Sequence, residues 1–200
     1  FYNCGGLEEI VVDKDNPVFH EAGNCLIETQ TKKLLRFGVN GKIPSDGSVT
    51  RIQDGAFGGC FIRNLYIPAC IQSFVISGHG IAGLETVSVE EGNAVYYSSE
   101  NCLIEKSTQT LCVGCKNSVI PSGVKRIKTG AFEGSEIASI NIPVSVTCIE
   151  SFAFLDCADL TEIRYEGTTE QWNALEKNGN WDKNKRNYVV NCSDGTLIKK

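Results

Sequence analysis

The residues with chemical reach in this chain of 200 are ten cysteines, two histidines and a few adjacent carboxylates. Cys112-Val-Gly-Cys115 is the one Cys-x-x-Cys, a spacing that suits a redox dithiol or half of a zinc site. A redox thiol of that kind needs a helix N-terminus behind it, and zinc needs a second pair of Cys or His; the surrounding sequence offers neither. His20 and His79 lie in loops of unlike sequence, with no Ser or Cys nearby in a nucleophile motif. Gly78-His79-Gly80 lacks the following Gly-x-x-Gly or Lys of a phosphate loop. Glu8-Glu9 and Glu90-Glu91 would suit a glycosidase if they converged, but neighbours along a strand face opposite ways. Stacking of equivalent positions leaves that option open. Asn191-Cys-Ser is formally a glycosylation sequon inside a strand-like segment, and the basic run from Lys183 to Arg186 reads as a solvated loop. The expectation is no catalytic residue, no metal and no cofactor.

With 42% hydrophobic residues the chain can bury a core of its own. Its net charge of -5 gives no electrostatic reason to expect nucleic acid or an anionic membrane as partner, and no apolar run approaches a membrane span. Direct membrane insertion by this segment is not expected. Ten cysteines would suggest a disulfide framework in an oxidising compartment. Several of them recur at repeat positions, however, and a chain rich in Val, Ile, Leu and Phe has no need of staples. Buried thiols used as small apolar side chains are the expectation.

Repeats organise the chain. With Phe-x-x-Cys-x-x-Leu as the template, copies begin at Phe1, Phe57, Phe132 and Phe154, complete in the first and last, with a decayed copy at Gly78 in which Ile81 replaces the Cys. The short steps, 57 to 78 and 132 to 154, define a unit of 21 to 22 residues, a period that points to a solenoid. The two long steps carry an insertion, and they match one another: Asn16 with Asn93, Asn24-Cys25-Leu26-Ile27-Glu28 with Asn101-Cys102-Leu103-Ile104-Glu105, Ile43-Pro44-Ser45 with Ile120-Pro121-Ser122. Both close on Gly-Ala-Phe, at Gly55 to Phe57 and Gly130 to Phe132. FYNCGGLEEI has neither Met nor a signal-like segment and aligns with FLDCADLTEI at 154–163, so it is expected to start in mid-repeat, with Phe1 and Cys4 as core residues of an open end.

Within each unit a segment of alternating apolar residues predicts a short strand with one buried face: Leu7-x-x-Ile10-x-Val12, Leu65-x-Ile67, Leu84-x-x-Val87-x-Val89 and Ile140-x-Ile142. Pro68 and Pro143 end two of these strands, since proline has no amide for the next ladder bond. The stretches Val49-x-x-Ile52, Val124-x-x-Ile127 and Val146-x-x-Ile149 then form the opposite wall. The insertions near 25–37 and 102–114 read as β-hairpins that project from or extend one wall. Thr168 as N-cap with Gln171 three residues on, Trp172 and Leu175 on one face and Gly179 as a stop predict one short helix, followed by a strand at Tyr188 to Cys192. The result is a mainly β solenoid over 1–165, with turns starting near 1, 57, 78, 132 and 154, and a C-terminal cap over 166–200.

Gly-Ala-Phe-x-x-Cys, Ile-Pro-x-x-Val and Leu-x-x-Ile-x-Ile together resemble the BspA-like leucine-rich repeats over nearly the whole chain, and EGTTEQWNAL followed by CSDGT resembles the terminal cap of that family. The resemblance implies a right-handed leucine-rich-repeat solenoid of short parallel strands. It also implies a cell-surface or secreted setting in host-associated bacteria, and a non-enzymatic, adhesin-like role toward a host or neighbouring-cell protein, such as a matrix or surface protein, or toward a glycan. The other reading is a structural spacer that presents another domain. Ser135 stands where other turns have Cys60 and Cys157, which speaks for a small side chain donating a weak hydrogen bond. On the strands, the outward positions are Glu9, Val11, Asp13; Asn64, Tyr66; Thr86, Ser88, Glu90; Ser139, Asn141; and Glu162, Arg164. Tyr66, Thr86, Ser88, Glu90, Asn141 and Arg164 are the candidate binding residues, Tyr66 and Arg164 foremost as residue types that anchor interfaces. Free-thiol counting on denatured protein purified without reductant is expected to find most of the cysteines reactive; a count near zero would mean bridges between turns.

Overall fold

The computed structural model describes residues 6–75, 81, 83–184 and 187–199. In chain order the strands are β1 (Phe19–Glu21), β2 (Cys25–Glu28), β3 (Lys33–Phe37), β4 (Arg51–Ile52), β5 (Asn64–Ile67), β6 (Ser73–Phe74), β7 (Thr86–Val89), β8 (Tyr96–Ser99) and β9 (Cys102–Glu105). They continue as β10 (Thr110–Val113), β11 (Arg126–Ile127), β12 (Ser139–Ile142), β13 (Cys148–Ile149), β14 (Glu162–Tyr165), β15 (Glu176–Lys177), β16 (Tyr188–Cys192) and β17 (Gly195–Lys199), with the helix α1 (Thr169–Ala174) between β14 and β15.

One wall consists of two sheets of the same design. In the first, β1, β2 and β3 form an antiparallel meander whose last strand is joined in parallel by β4 and β6; in the second, β8, β9 and β10 do the same and are joined by β11, β13 and β15. The hairpins therefore extend the wall, and each is preceded by a third strand, β1 or β8, that period-two patterning did not single out. In-register apolar residues run up the wall: Leu34 to Ile52 to Phe74, and Leu111 to Ile127 to Ile149. On the other wall β5 pairs in parallel with β7, and β12, β14 and β16 pair in parallel with β17 closing the edge. After Pro68, Pro121 and Pro143 the chain turns, each proline carbonyl accepting the amide three residues on, from Ile71, Val124 and Val146. Gly55 and Gly130 of the two Gly-Ala-Phe motifs hold φ at 74° and 69°, a region open to glycine at no steric cost.

Aromatic rings stack between turns: Phe37 to Phe57 to Phe74 with centroids 5.1 and 6.0 Å apart, and Phe132 to Phe154 to Trp181 at 5.0 and 5.9 Å. Gly114 stands where the first long unit has Phe37, and a Cβ there would come within 2.0 Å of the Phe132 ring. Cys60 and Cys157 are buried below these rings, and each thiol donates to the phenylalanine carbonyl of the turn before, Phe37 or Phe132, at 3.0 Å. Ser135 is buried at the matching place, but its Oγ meets no hydrogen-bond partner, contrary to the donation expected of it. The nine described cysteines are unbridged and seven of them are buried. Loss of hydration raises the Cys25 and Cys102 thiols to about 12 and the Cys112 thiol to about 11.

The apolar residues form two cores, and the β9–β10 hairpin lies between them. Cys102, Ile104 and Leu111 enter the C-terminal core; Leu103, Cys112 and Val113 enter the N-terminal one. At the C-terminus, Trp172, Leu175, Trp181, Tyr188 and Val190 close the second core. The Thr168 capping box forms as expected, and Thr169 N–H donates to Asp194 Oδ1 at 2.7 Å, which ties α1 to the β16–β17 turn. The helix ends at Leu175 rather than running to Gly179, because Glu176 and Lys177 are taken into the sheet beside β13 and Lys177 Nζ caps the Trp172 and Leu175 carbonyls.

Two further expectations are corrected. Leu7 to Val12 is not a strand. Its counterpart β7 becomes one by pairing with the turn before it, β5. No described turn precedes Leu7, and the segment is instead held by the Asn24 amide, which bonds Ile10 N–H and the Glu8 carbonyl. Nor do the stacked strands expose the one long regular surface expected of a solenoid, since β7 and β12 belong to separate sheets, parted by the second hairpin module. Phe1, Cys4 and the Gly78–Gly80 turn lie outside the described residues.

The matched pair Asn16 and Asn93 isolates the effect of burial. Each side-chain oxygen accepts two amides, Val18 and Phe19 in one case and Val95 and Tyr96 in the other. Asn93 is 1% exposed, and its Nδ2 also donates to the Pro68 and Ile71 carbonyls, whereas Asn16 is exposed. Asn93→Ala is expected to cost about 3 kcal/mol and Asn16→Ala about 1 kcal/mol, read from urea denaturation midpoints. The raised thiols set a pH trend: below pH 9, their ordinary value, folded and unfolded thiols both keep the proton. From there to about 11 or 12 the unfolded chain binds fewer protons, so stability should fall as pH rises. Replacing Cys25, Cys102 and Cys112 by Ala should flatten that slope between pH 8 and 10.5.

Candidate recognition surface

The β5–β7 sheet places Asn64 opposite Thr86 and Tyr66 opposite Ser88, with the alternate residues Leu65 and Val87 buried beneath. Alternation of a half-buried strand dictates this, so these four side chains face outward as the pattern implies. Thr86 Oγ1 donates to Asn64 Oδ1 at 2.6 Å. Tyr66 is 48% exposed. Glu90 differs from expectation: it is half-buried, its Oε2 accepts the Ala69 amide at 2.7 Å, and its charge lies close enough to Tyr66 to raise the phenol, after loss of hydration. It fixes the turn after β5 and steadies the tyrosine, and is not a free binding group.

Sequence reading missed Phe61, which is 66% exposed just before β5. Arg63 lies over its ring at 5.9 Å and pairs with Glu85 at 3.0 Å. Gly83 (φ +70) packs so closely that a Cβ would come 2.3 Å from the ring. The signal was present: the residue after Cys60 is a phenylalanine where the matching turns have Ala158 and Glu136.

The second outward face crosses four strands. Ser139 lies opposite Glu162, which lies opposite Val189; Asn141, Arg164, Asn191 and Thr196 form the next row. Arg164 pairs with Glu162 at 2.5 Å, and Asn191 Nδ2 donates to the same carboxylate at 2.7 Å. These bonds hold the Glu162 carboxyl below its usual range, Arg164 contributing most. Asn191 also accepts from Thr196, so the amide of the formal sequon is engaged in the sheet. Tyr66 and Arg164 therefore belong to different sheets, each with its own neighbours. Glu9, Val11 and Asp13 are exposed but are not on a strand.

The remaining candidates are dispersed. Cys112 lies at the bulge of β10 and Cys115 just after it, both buried, with thiols raised foremost by loss of hydration; a thiolate nucleophile needs the opposite shift. Cys115 Sγ donates to the Glu85 carbonyl at 3.1 Å. His20 Nδ1 bonds Thr29 Oγ1 at 2.9 Å on the exposed meander, and His79 lies outside the described residues. Among the described residues no three or more His, Cys, Asp or Glu side chains converge as a metal would require, and no helix is long and apolar enough to cross a membrane.

Comparison with known proteins agrees with this geometry. Residues 103–174 match the BspA type leucine rich repeat region in six copies. No curated protein matches. Among solved structures, a leucine-rich repeat protein from Eubacterium ventriosum aligns with 74% of this chain and 40% of its own, at 22% identity and a TM-score of 0.56, a likeness of fold. A leucine rich cell surface protein from Faecalibacterium prausnitzii aligns over 65% of this chain and 55% of its own at 22% identity and TM-score 0.43. The pneumococcal vaccine antigen PcpA aligns over 74% and 49% at 15% identity and TM-score 0.46. The chain thus spans less than two thirds of each of these structures. Residues 103–174 are thus a region of BspA-type leucine rich repeats, and the parallel strands on either side of it follow the same leucine-rich repeat fold.

Proposed function

We propose that the chain is a non-enzymatic recognition module of a cell-surface or secreted protein, and that it binds a host or neighbouring-cell protein through the β5–β7 face. The observation that carries this is two exposed aromatic side chains, Phe61 just before β5 under an ion-paired arginine and Tyr66 on β5. Large aromatics and arginine supply most of the energy of protein interfaces, and here their positions are fixed before binding by Gly83, Glu85 and Glu90. The β12–β14–β16 face, with Asn141 and Arg164, contributes polar contacts, weakened by the engagement of Arg164 with Glu162. The surface address rests on the BspA-type repeats.

Surface plasmon resonance against host matrix proteins and an array of host glycans tests this. Specific, saturable binding to a protein should weaken at least about tenfold in Tyr66→Ala and in Phe61→Ala, as for a central interface residue, and only a few-fold in Arg164→Ala. Lys125→Ala, on the opposite wall, should change nothing. Binding confined to glycans would replace the protein partner by a sugar, and a negative result across both panels would favour a spacer that presents another domain.

A further inference from the structure

Arg36 on β3 is 3% exposed, and the second long unit shows how unusual that is. Its counterpart on β10 is Val113, also 3% exposed, packed into the N-terminal core. The same position of the same module thus accepts an ordinary valine, yet the first copy buries a guanidinium there. Arg36 Nη1 donates to the Gly58 carbonyl, while Nε and Nη2 are buried and meet no acceptor among the described residues. A cation withdrawn from water with two donors unanswered is costly unless an anion meets it. The side chain lines two adjoining cavities, of about 620 and 170 Å³, which share Val11, Val12 and Leu26; Phe19 and Leu35 add apolar surface to the larger one.

We propose that this cleft binds an apolar monocarboxylate, its two oxygens taking the Nε and Nη2 donors of Arg36 and its apolar body lying against Val11, Val12, Phe19, Leu26 and Leu35. Nε and Nη2 form the planar fork that matches a carboxylate with two parallel hydrogen bonds. Both donors are closed to bulk water, so the ligand reaches them when the lining opens, and the segment of Val11 and Val12, which is not in a strand, is the part free to move with it. The rest of the lining sets the charge of the ligand. Asp13 borders the larger cavity and Glu9 the smaller, so a phosphate or other polyanion is repelled, whereas a single carboxylate is neutralised by the fork. Two sources carry this chemistry, a free fatty acid and the C-terminal residue of a peptide.

Isothermal titration calorimetry with octanoate, N-acetyl-leucyl-leucine, the C-terminal amide of that peptide and inorganic phosphate tests the site on this chain and on Arg36→Met. Saturable binding of either carboxylate, weakened at least about tenfold by amidation and by Arg36→Met, is the expected result, the size of a lost charge-assisted pair. Which carboxylate binds identifies the source. No saturable heat from either carboxylate, equal binding of the amide or of phosphate, or undiminished binding by Arg36→Met overturns the proposal. The comparison of acid with amide on the unmutated chain decides even if the variant fails to fold.

Discussion

No turn of this chain can bury its own apolar face, and that constraint governs the rest of the structure. A strand of four residues such as β5 or β12 presents two apolar side chains, too few for a core, so each turn gains its burial from the turns on either side. The phenylalanine stacks, the thiols that donate to the carbonyl of the preceding turn, and the in-register rows from Leu34 to Phe74 and from Leu111 to Ile149 are all contacts between turns. Where a turn lacks a described neighbour the pattern fails locally: Leu7 to Val12 has the composition of a strand and is held by the Asn24 side chain and by the Val39 amide on the Leu7 carbonyl.

The two long units place one module in two settings, and the differences between them are informative. In the second unit the hairpin has a core on each side, so Leu103, Cys112 and Val113 are buried along with Cys102, Ile104 and Leu111. In the first, one face is buried and the other looks onto the cleft through Leu26, Leu35 and Arg36. Asn93 fills all four of its hydrogen-bonding positions while Asn16 fills two, and Gly114 makes room for the ring that Phe37 abuts in the first unit. The recognition face shows the same dependence on context, since Tyr66 is steadied by a glutamate from the following turn and Arg164 is partly neutralised by its own strand.

Much of the solenoid was legible in the sequence because it is written in local patterns repeated several times. Leu65-x-Ile67, Ile140-x-Ile142, the three Val-x-x-Ile stretches, both hairpins, the capping box at Thr168 and the strand from Tyr188 to Cys192 depend on alternation, turn residues and caps, which act over a few positions. The extra strands β1, β8, β6, β15 and β17 were not, because they are two to five residues long and owe their extended form to a partner already in place. The outward positions of β5, β7, β12 and β14 followed from the alternation. That Glu90 is engaged and Arg164 paired did not, since both bonds depend on how turns and rotamers meet.

By itself, the sequence determined the repeat, its period, the buried side of most strands and the use of cysteine as a small core residue, all consequences of short-range chemistry. Tertiary structure alone decided that the outward strands form two sheets rather than one ladder, that Phe61 stands exposed under Arg63, and that a guanidinium at a valine position is sealed beneath a cleft. These outcomes depend on which turn lies against which, a relation between residues tens of positions apart that no local pattern contains.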